Sequence, residues 1–339
     1  MSPVRLGVIG AGAWGRNHVR TAASLPEAVL TAVCDASSAA RDRVARAYPA
    51  VHVTADVDDL FERVDGVVIA TSARTHAELA TRAVEAGRPA LVEKPFTLSV
   101  ADAEAVSALA TARGVPLLVG HLLLFHPVVE RLRQIIEDGT LGRVLYLHGQ
   151  RVNLGQVRPD ENALWSFGPH DVSVALFLLQ DRPIRVAAQG RAYLQPGVED
   201  VVFLHLDFPS GVLAHLQLSW LDPHKERRMT VVGERQMAVF NDMEPREKLR
   251  IYDKGVDRPP EYASFGESLA IREGDIAIPK IPNTEPLAAE LRHFVRVVEG
   301  REVPRAGPSD GLEVVRVLEA AGRSLAAGGV PEDLALEAV

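Results

Sequence analysis

Val4-Arg5-Leu6-Gly7-Val8-Ile9-Gly10-Ala11-Gly12-Ala13-Trp14-Gly15 decides the fold: an apolar run of strand length closes on three glycines spaced G-x-G-x-x-G, and helical spacing follows from Asn17 to Ser24. In such a turn Gly10 permits the tight bend, Gly12 lets backbone N–H groups approach a pyrophosphate, and Gly15 lets the helix pack closely on the strand. Ala13 and Trp14 complete the turn, and the helix N-terminus offers its positive dipole end to phosphate. Glycines gather in turns anyway, so the motif needs context. Asp35 supplies it, standing 20 residues after Gly15 at the end of the second apolar run. There a carboxylate accepts hydrogen bonds from the adenosine ribose hydroxyls and repels a 2′-phosphate, which favours NAD over NADP. Arg41 and Arg43, about one helical turn further on, are the residues that would argue for NADP.

Working outward, strand-length apolar runs fall at Arg5 to Ile9, Val29 to Cys34, Val51 to Thr54, Gly66 to Ala70, Pro89 to Val92 and Pro116 to Val119. Helical spacing separates them at Ser38 to Ala47, His76 to Ala86 and Val100 to Ala112. This alternation predicts a doubly wound parallel sheet of the Rossmann kind. Beyond about residue 121 the pattern changes. Val201 to Phe208 and Gly211 to Trp220 alternate with period two around Pro209 and Ser210, as an antiparallel hairpin does. Val202, Leu204, Leu206, Ala214, Leu216 and Leu218 are expected to face a core. His205, Asp207, His215 and Gln217 face either solvent or another subunit. Met229 to Val232, Met237 to Asn241 and Leu249 to Tyr252 read as further strands, Glu285 to Val298 and Ser309 to Leu325 as closing helices, and Lys254 to Thr284 as a long surface excursion. The expected architecture is α/β: a dinucleotide-binding domain over residues 1–121, then an α+β domain over 122–339 with a large, mostly antiparallel open sheet that binds substrate and serves oligomerisation.

With 339 residues, 47% of them hydrophobic, the chain can bury the cores of two domains. The lone Cys34 leaves no internal disulfide and no cysteine-rich zinc site, and the histidines show no His-Glu-x-x-His spacing, so no metal is expected. A net charge of −8 opposes nonspecific binding to nucleic acid or an anionic membrane. No apolar run of membrane-spanning length and no signal-peptide pattern is present, which reads as cytoplasmic.

Three segments carry chemistry. Ala70-Thr71-Ser72, with His76 behind it, ends the fourth strand, where a hydroxyl pair can touch a nucleotide's ribose or pyrophosphate. Equally, Ser72 or Thr75 can cap the following helix. Val92-Glu93-Lys94-Pro95 closes the fifth strand; a lysine there is either solvated or aimed into the crevice. Asn162-Ala163-Leu164-Trp165-Ser166-Phe167-Gly168-Pro169-His170-Asp171 precedes the apolar run Val172 to Leu179. Pro169 suits a first helical turn, which puts His170 and Asp171 near a helix N-terminus.

Together with the glycine turn, Glu93-Lys94-Pro95 and Gly168-Pro169-His170-Asp171 closely resemble the Gfo/Idh/MocA oxidoreductases. The resemblance continues through Glu290-Leu291-Arg292-His293-Phe294-Val295 and Gly311-Leu312-Glu313-Val314-Val315. It implies hydride transfer between NAD and a carbinol carbon of a sugar. It also implies that Glu93, Lys94 and a commonly cis Pro95 lie at the nicotinamide, with Lys94 holding the reacting oxygen, and that His170 exchanges its proton. An aspartate stands four residues before that histidine in many family members; here the position is Ser166. Asp171 is then the candidate to orient the His170 ring.

Softer candidates for substrate are His121, Arg151, Asn153 and Trp165, with Lys225 in the basic run His224-Lys225-Glu226-Arg227-Arg228, which as a loop would clamp a diphosphate. Similarity at Trp14 to Asn17, Arg151 to Gly155 and Trp165 to Asp171 points to nucleotide-sugar 3-dehydrogenases, acting on a UDP-N-acetylglucosamine type of substrate. Free-sugar or inositol dehydrogenases, redox-neutral NAD-dependent glycosidases or epimerases, and a non-catalytic NAD sensor share parts of the pattern. Family members commonly form dimers or tetramers through the second-domain sheet, so a homodimer or homotetramer is expected.

Overall fold

The computed structural model describes residues 3–155, 157–158, 161–257 and 270–334. Two compact units divide the chain, the first built from Met1–Phe125 and Thr284–Arg316, the second from His126–Asn283 and Val317–Val339. Two consecutive domains meeting at residue 121 were expected from the sequence; in the structure, the segment that opens at Thr284 packs with the first unit.

The first unit is a six-stranded parallel sheet. In chain order it runs β1 (Val4–Ile9), α1 (Gly15–Ser24), β2 (Ala28–Cys34), α2 (Ser38–Ala47), β3 (His52–Thr54), α3 (Val57–Phe61), β4 (Gly66–Ile69), α4 (His76–Glu85), β5 (Ala90–Glu93), α5 (Val100–Arg113) and β6 (Leu117–Gly120). The sheet order is β3-β2-β1-β4-β5-β6, so the winding direction reverses between β1 and β4. Strands β4, β5 and β6 are buried at every residue, which is why they read as continuous apolar runs. Side-chain caps fix several helix starts: Ser37 accepts from Ala40 N–H and Ser99 from Asp102 N–H.

The second unit opens with α6 (Pro127–Glu137), β7 (Val144–Val152) and α7 (Ala163–Leu179). Strands β8 (Arg185–Arg191), β9 (Val201–Asp207), β10 (Leu213–Ser219), β11 (Glu226–Gly233), β12 (Met237–Asn241), β13 (Leu249–Asp257) and β14 (Ala270–Ala277) follow. Helix α8 (Pro286–Val298) belongs to the first unit, and the chain re-enters the second within α9 (Pro308–Ala326) before the short β15 (Glu332–Asp333). The sheet order is β14-β13-β12-β11-β7-β10-β9-β8-β15, with β7 and β10 parallel and the other pairs antiparallel.

The hairpin register sets Leu216 opposite Leu204 and Leu218 opposite Val202, all fully buried. Each such side chain contributes roughly 2 kcal/mol of burial. On the open face His215 lies opposite both His205 and His148, flanked by the exposed Tyr146, Phe203 and Leu213.

Three expectations change. The excursion over Lys254 to Thr284 contains the end of β13, which extends the strand read at Leu249 to Tyr252, and the whole of β14 paired antiparallel to it, and its residues 258–269 lie outside the described residues. Charge and glycine hid β14 because it extends the sheet at its edge, where side chains stay hydrated: Ile271 and Ile276 are exposed. The run from His224 to Arg228 is only partly a loop, since Glu226 already begins β11. Finally, Pro169 sits inside α7 rather than in its first turn. Asn162 is the stronger start signal: its side chain accepts from Trp165 N–H, so the helix begins six residues before the proline.

Candidate active site

In the first unit the carboxyl ends of the parallel strands collect the candidates. Gly10 follows β1 with φ +92°, a conformation open to glycine, and a Cβ on Gly15 would stand 1.9 Å from the Gly10 carbonyl oxygen. Helix α1 can start where it does only with glycine at that position. A Cβ on Gly12 would meet nothing within 4 Å, and Gly12, Ala13 and Trp14 are exposed. Their N–H groups, in the turn just ahead of α1, donate to no partner among the described residues. The turn therefore fits a dinucleotide pyrophosphate.

Asp35, after β2, ties this turn down. One carboxylate oxygen accepts Ala11 N–H at 2.7 Å and the other accepts Ser37 N–H at 2.8 Å. Arg41 is folded back, donating to the carbonyls of Asp35 at 2.7 Å and Ala36 at 3.0 Å. Of the two residues that argue for NADP, Arg41 thus turns a guanidinium nitrogen to its own loop, while Arg43 is exposed.

Thr71 and Ser72 follow β4, but neither Ser72 nor Thr75 caps a helix through its side chain; Thr75 Oγ1 instead donates to Thr71 Oγ1 or to the Ser72 carbonyl. Ser72 is exposed and Thr71 half-buried. His76 is buried, with Nδ1 2.8 Å from the Pro95 carbonyl and Nε2 3.3 Å from that of Thr71. The ring fastens the end of β4 to the segment after β5. The Lys94–Pro95 bond is cis.

Glu93 was expected at the cofactor, but its carboxylate is buried and satisfied by protein. Trp14 Nε1–H donates to Oε1 at 2.5 Å, His18 Nε2 lies 2.7 Å from the same oxygen, and Lys94 N–H donates to Oε2 at 3.1 Å. Burial pushes the Glu93 pKa up, but the bonds from His18 and Trp14 and the charge of Lys94 outweigh it and hold the group below the usual carboxylate range. Lys94 itself is half-buried at the end of β5. His121, after β6, is buried with no partner on either ring nitrogen among the described residues, and burial lowers its pKa to about 4. A buried Cys34 has its thiol pushed up to about 11 by burial.

In the second unit Arg151 ends β7 and forms two bonds to Asp171 on α7, Nε to Oδ2 at 2.6 Å and a terminal nitrogen to Oδ1 at 3.0 Å. Both side chains are buried. Asp171 is therefore paired with Arg151. His170 is half-buried on α7, one turn beyond the buried Ser166. Asn153 donates its N–H to the Ser219 carbonyl, and antiparallel pairing of β7 with β11 sets Val152 against Glu226, next to the exposed Lys225. Arg227 is shared with Asp242 at 3.6 Å. Trp165 is half-buried in the first turn of α7.

Sequence reading missed His18 and Glu290. His18 lies on the inward face of α1 with Gly15, Val19 and Ala22, a spacing that marks it as buried. Glu290, on α8, is fully buried on the face of Leu287, Leu291 and Phe294, and the same spacing marks it.

Residues 4–121 match the family described as an oxidoreductase family with an NAD-binding Rossmann fold, and residues 129–239 match the GFO/IDH/MocA C-terminal domain. The chain belongs to the Gfo/Idh/MocA oxidoreductases. As a member of that family it is an NAD-dependent oxidoreductase. The UDP-N-acetylglucosamine 3-dehydrogenase of Acidithiobacillus ferrooxidans is 29% identical over 95% of this chain and 96% of its own. Its solved structure superposes with a TM-score of 0.84 over 97% of this chain and 99% of that one, at 26% identity. An inositol 2-dehydrogenase of Rhizobium meliloti is 27% identical over 95% of this chain and 97% of its own. A solved structure from Magnetospirillum magnetotacticum shares 35% identity, with a TM-score of 0.78 over 94% of this chain and 99% of that one. Among the described residues, no helix of this Gfo/Idh/MocA chain is long and apolar enough to cross a membrane.

Proposed function

We propose that the chain interconverts a ring carbinol and ketone of a nucleotide sugar, of the UDP-N-acetylglucosamine 3-dehydrogenase type. The glycine turn from Gly10 to Gly15 holds the pyrophosphate of NAD, and Asp35 the adenosine ribose. NAD, when bound, supplies the nicotinamide that takes or returns a hydride. Lys94 places an ammonium against the substrate oxygen and stabilises negative charge there. His170 takes the hydroxyl proton during oxidation and returns it during reduction, which suits a group whose ordinary pKa is near 6.5. Arg151 holds Asp171, the residue after His170, on α7. The reading rests most on Lys94 closing β5 in the same row of strand ends as the glycine turn and Asp35, with its main-chain N–H held by Glu93.

A second reading, a dehydrogenase of inositols or free sugars, is favoured by the basic run: Arg227 already faces Asp242 and Glu226 starts a strand, which leaves a thinner diphosphate clamp than the sequence promised. The two readings separate in one assay of NADH formation across UDP-sugars, inositols and free sugars. Turnover with UDP-N-acetylhexosamines, lost on Lys94→Ala, supports the first; turnover confined to unphosphorylated polyols supports the second and overturns the first. The open face of the nine-stranded sheet, with Tyr146, Phe203 and Leu213 exposed together, is proposed as the surface that pairs two copies of the chain.

A further inference from the structure

A charged carboxylate with no exposure is costly unless hydrogen bonds and opposite charge replace its water. Glu93 receives three donors, from three places in the chain: Trp14 in the glycine turn, His18 one turn into α1, and the Lys94 main chain. The Trp14 and His18 rings also meet edge to face, with centroids 6.0 Å apart. Beside this cluster lies Glu290 of α8, fully buried, with neither carboxyl oxygen partnered among the described residues. Burial and the charge of Glu93 raise its pKa well above the ordinary value. Burial and the Glu93 charge thus favour the protonated form of Glu290, while the bonds to His18 and Trp14 favour the charged form of Glu93.

We propose that Glu93 is a positioning residue, whose carboxylate locks the glycine turn through Trp14 and His18 to the main chain of Lys94, so that the pyrophosphate cradle and the lysine are set by one buried group. The consequence for turnover rests on the role given to Lys94 above; the consequence for NAD binding does not. Without the lock, the exposed Trp14 side chain loses its anchor and the turn has to be ordered at the moment NAD binds, which weakens affinity. Glutamine at position 93 keeps the shape, yet its NH2 group faces either the Lys94 N–H or Trp14 and His18, so at least one donor goes unmet.

Three measurements on the full-length protein test this without any sugar. In the amide NMR spectrum the indole N–H of Trp14, identified by its loss in Trp14→Phe, lies downfield of those of Trp165 and Trp220 because it donates to a carboxylate; in Glu93→Gln it moves upfield. NAD affinity, by calorimetry, falls about 10- to 100-fold in Glu93→Gln, the range expected when a charge-assisted anchor is lost. Glu290→Gln, the neutral isostere of a protonated acid, keeps both the indole signal and an NAD affinity within about twofold of the wild type. Where Glu93→Gln does not fold, His18→Leu removes one donor alone and takes its place, with NAD affinity falling in the same direction. An unmoved indole signal together with unchanged NAD affinity overturns the lock, and a Glu290→Gln protein as weak for NAD as Glu93→Gln overturns the assignment of the proton. Lys94→Ala, run alongside, keeps the indole signal and loses turnover; retained turnover there refutes the catalytic reading and leaves the lock standing.

Discussion

Removing the partner of a buried charge is the most severe test of how the second unit is held, and Arg151→Met does this to Asp171. The guanidinium makes two bonds of 2.6 and 3.0 Å to a carboxylate whose side chain is 7% exposed, and its own side chain is 11% exposed, so solvent screens the pair little. Methionine leaves the carboxylate buried without a counter-charge, a loss of about 3–5 kcal/mol. With a slope of about 2 kcal/mol per molar urea, the unfolding midpoint falls by about 2 M. Intrinsic fluorescence reports the transition directly, because Trp165 and Trp220 both belong to the second unit. The double variant Arg151→Met with Asp171→Leu removes both charges and returns to within about 1 kcal/mol of the wild type. A single variant that loses less than about 1 kcal/mol, or a double variant as unstable as the single, refutes the claim that this pair anchors α7 to β7.

Cofactor choice follows from Asp35 and the folded-back Arg41: NAD binds more tightly than NADP, and Asp35→Ser shifts the ratio of their dissociation constants by about tenfold or more toward NADP; equal binding of the two by the wild type contradicts this. His121 is kept neutral by burial, with its pKa about 4 against an ordinary 6.5. As pH falls below 6.5 the unfolded chain takes up a proton that the fold refuses, so stability is full above pH 6.5 and drops by about 3 kcal/mol toward pH 4. His121→Phe removes that part of the slope, and parallel pH curves for the two proteins tell against it. Leu213→Glu with Phe203→Glu on the open sheet face shifts the sedimenting species to a monomer, while unchanged sedimentation shows that copies pair elsewhere.

How far the sequence could be read follows from what each residue answers to. The first unit was legible nearly strand by strand because a parallel sheet buried on both faces leaves uninterrupted apolar runs, and because the glycines at 10 and 15 answer to steric demands within the turn itself. The hairpin of β9 and β10 was legible because one face is core and the period is two. β14 was hidden, since an edge strand with hydrated side chains shows neither pattern, whereas the first residues of β13 read as a strand. In the site, Lys94 and the cis bond at Pro95 came through the motif they share, but the partners of Glu93, Asp171 and His76 were not legible. Each is set by an element distant in the chain: His18 lies 75 residues from Glu93, and Arg151 lies 20 from Asp171. Pro169 misled because a local preference for first turns was weaker than the cap at Asn162.

A crystal structure of the protein soaked with NAD tests the central claim most directly. The account predicts the pyrophosphate against the N–H groups of Gly12, Ala13 and Trp14, the adenosine ribose hydroxyls on Asp35, and the nicotinamide within reach of the Lys94 amine. A dinucleotide bound away from the glycine turn, or a nicotinamide beyond the reach of Lys94, contradicts it.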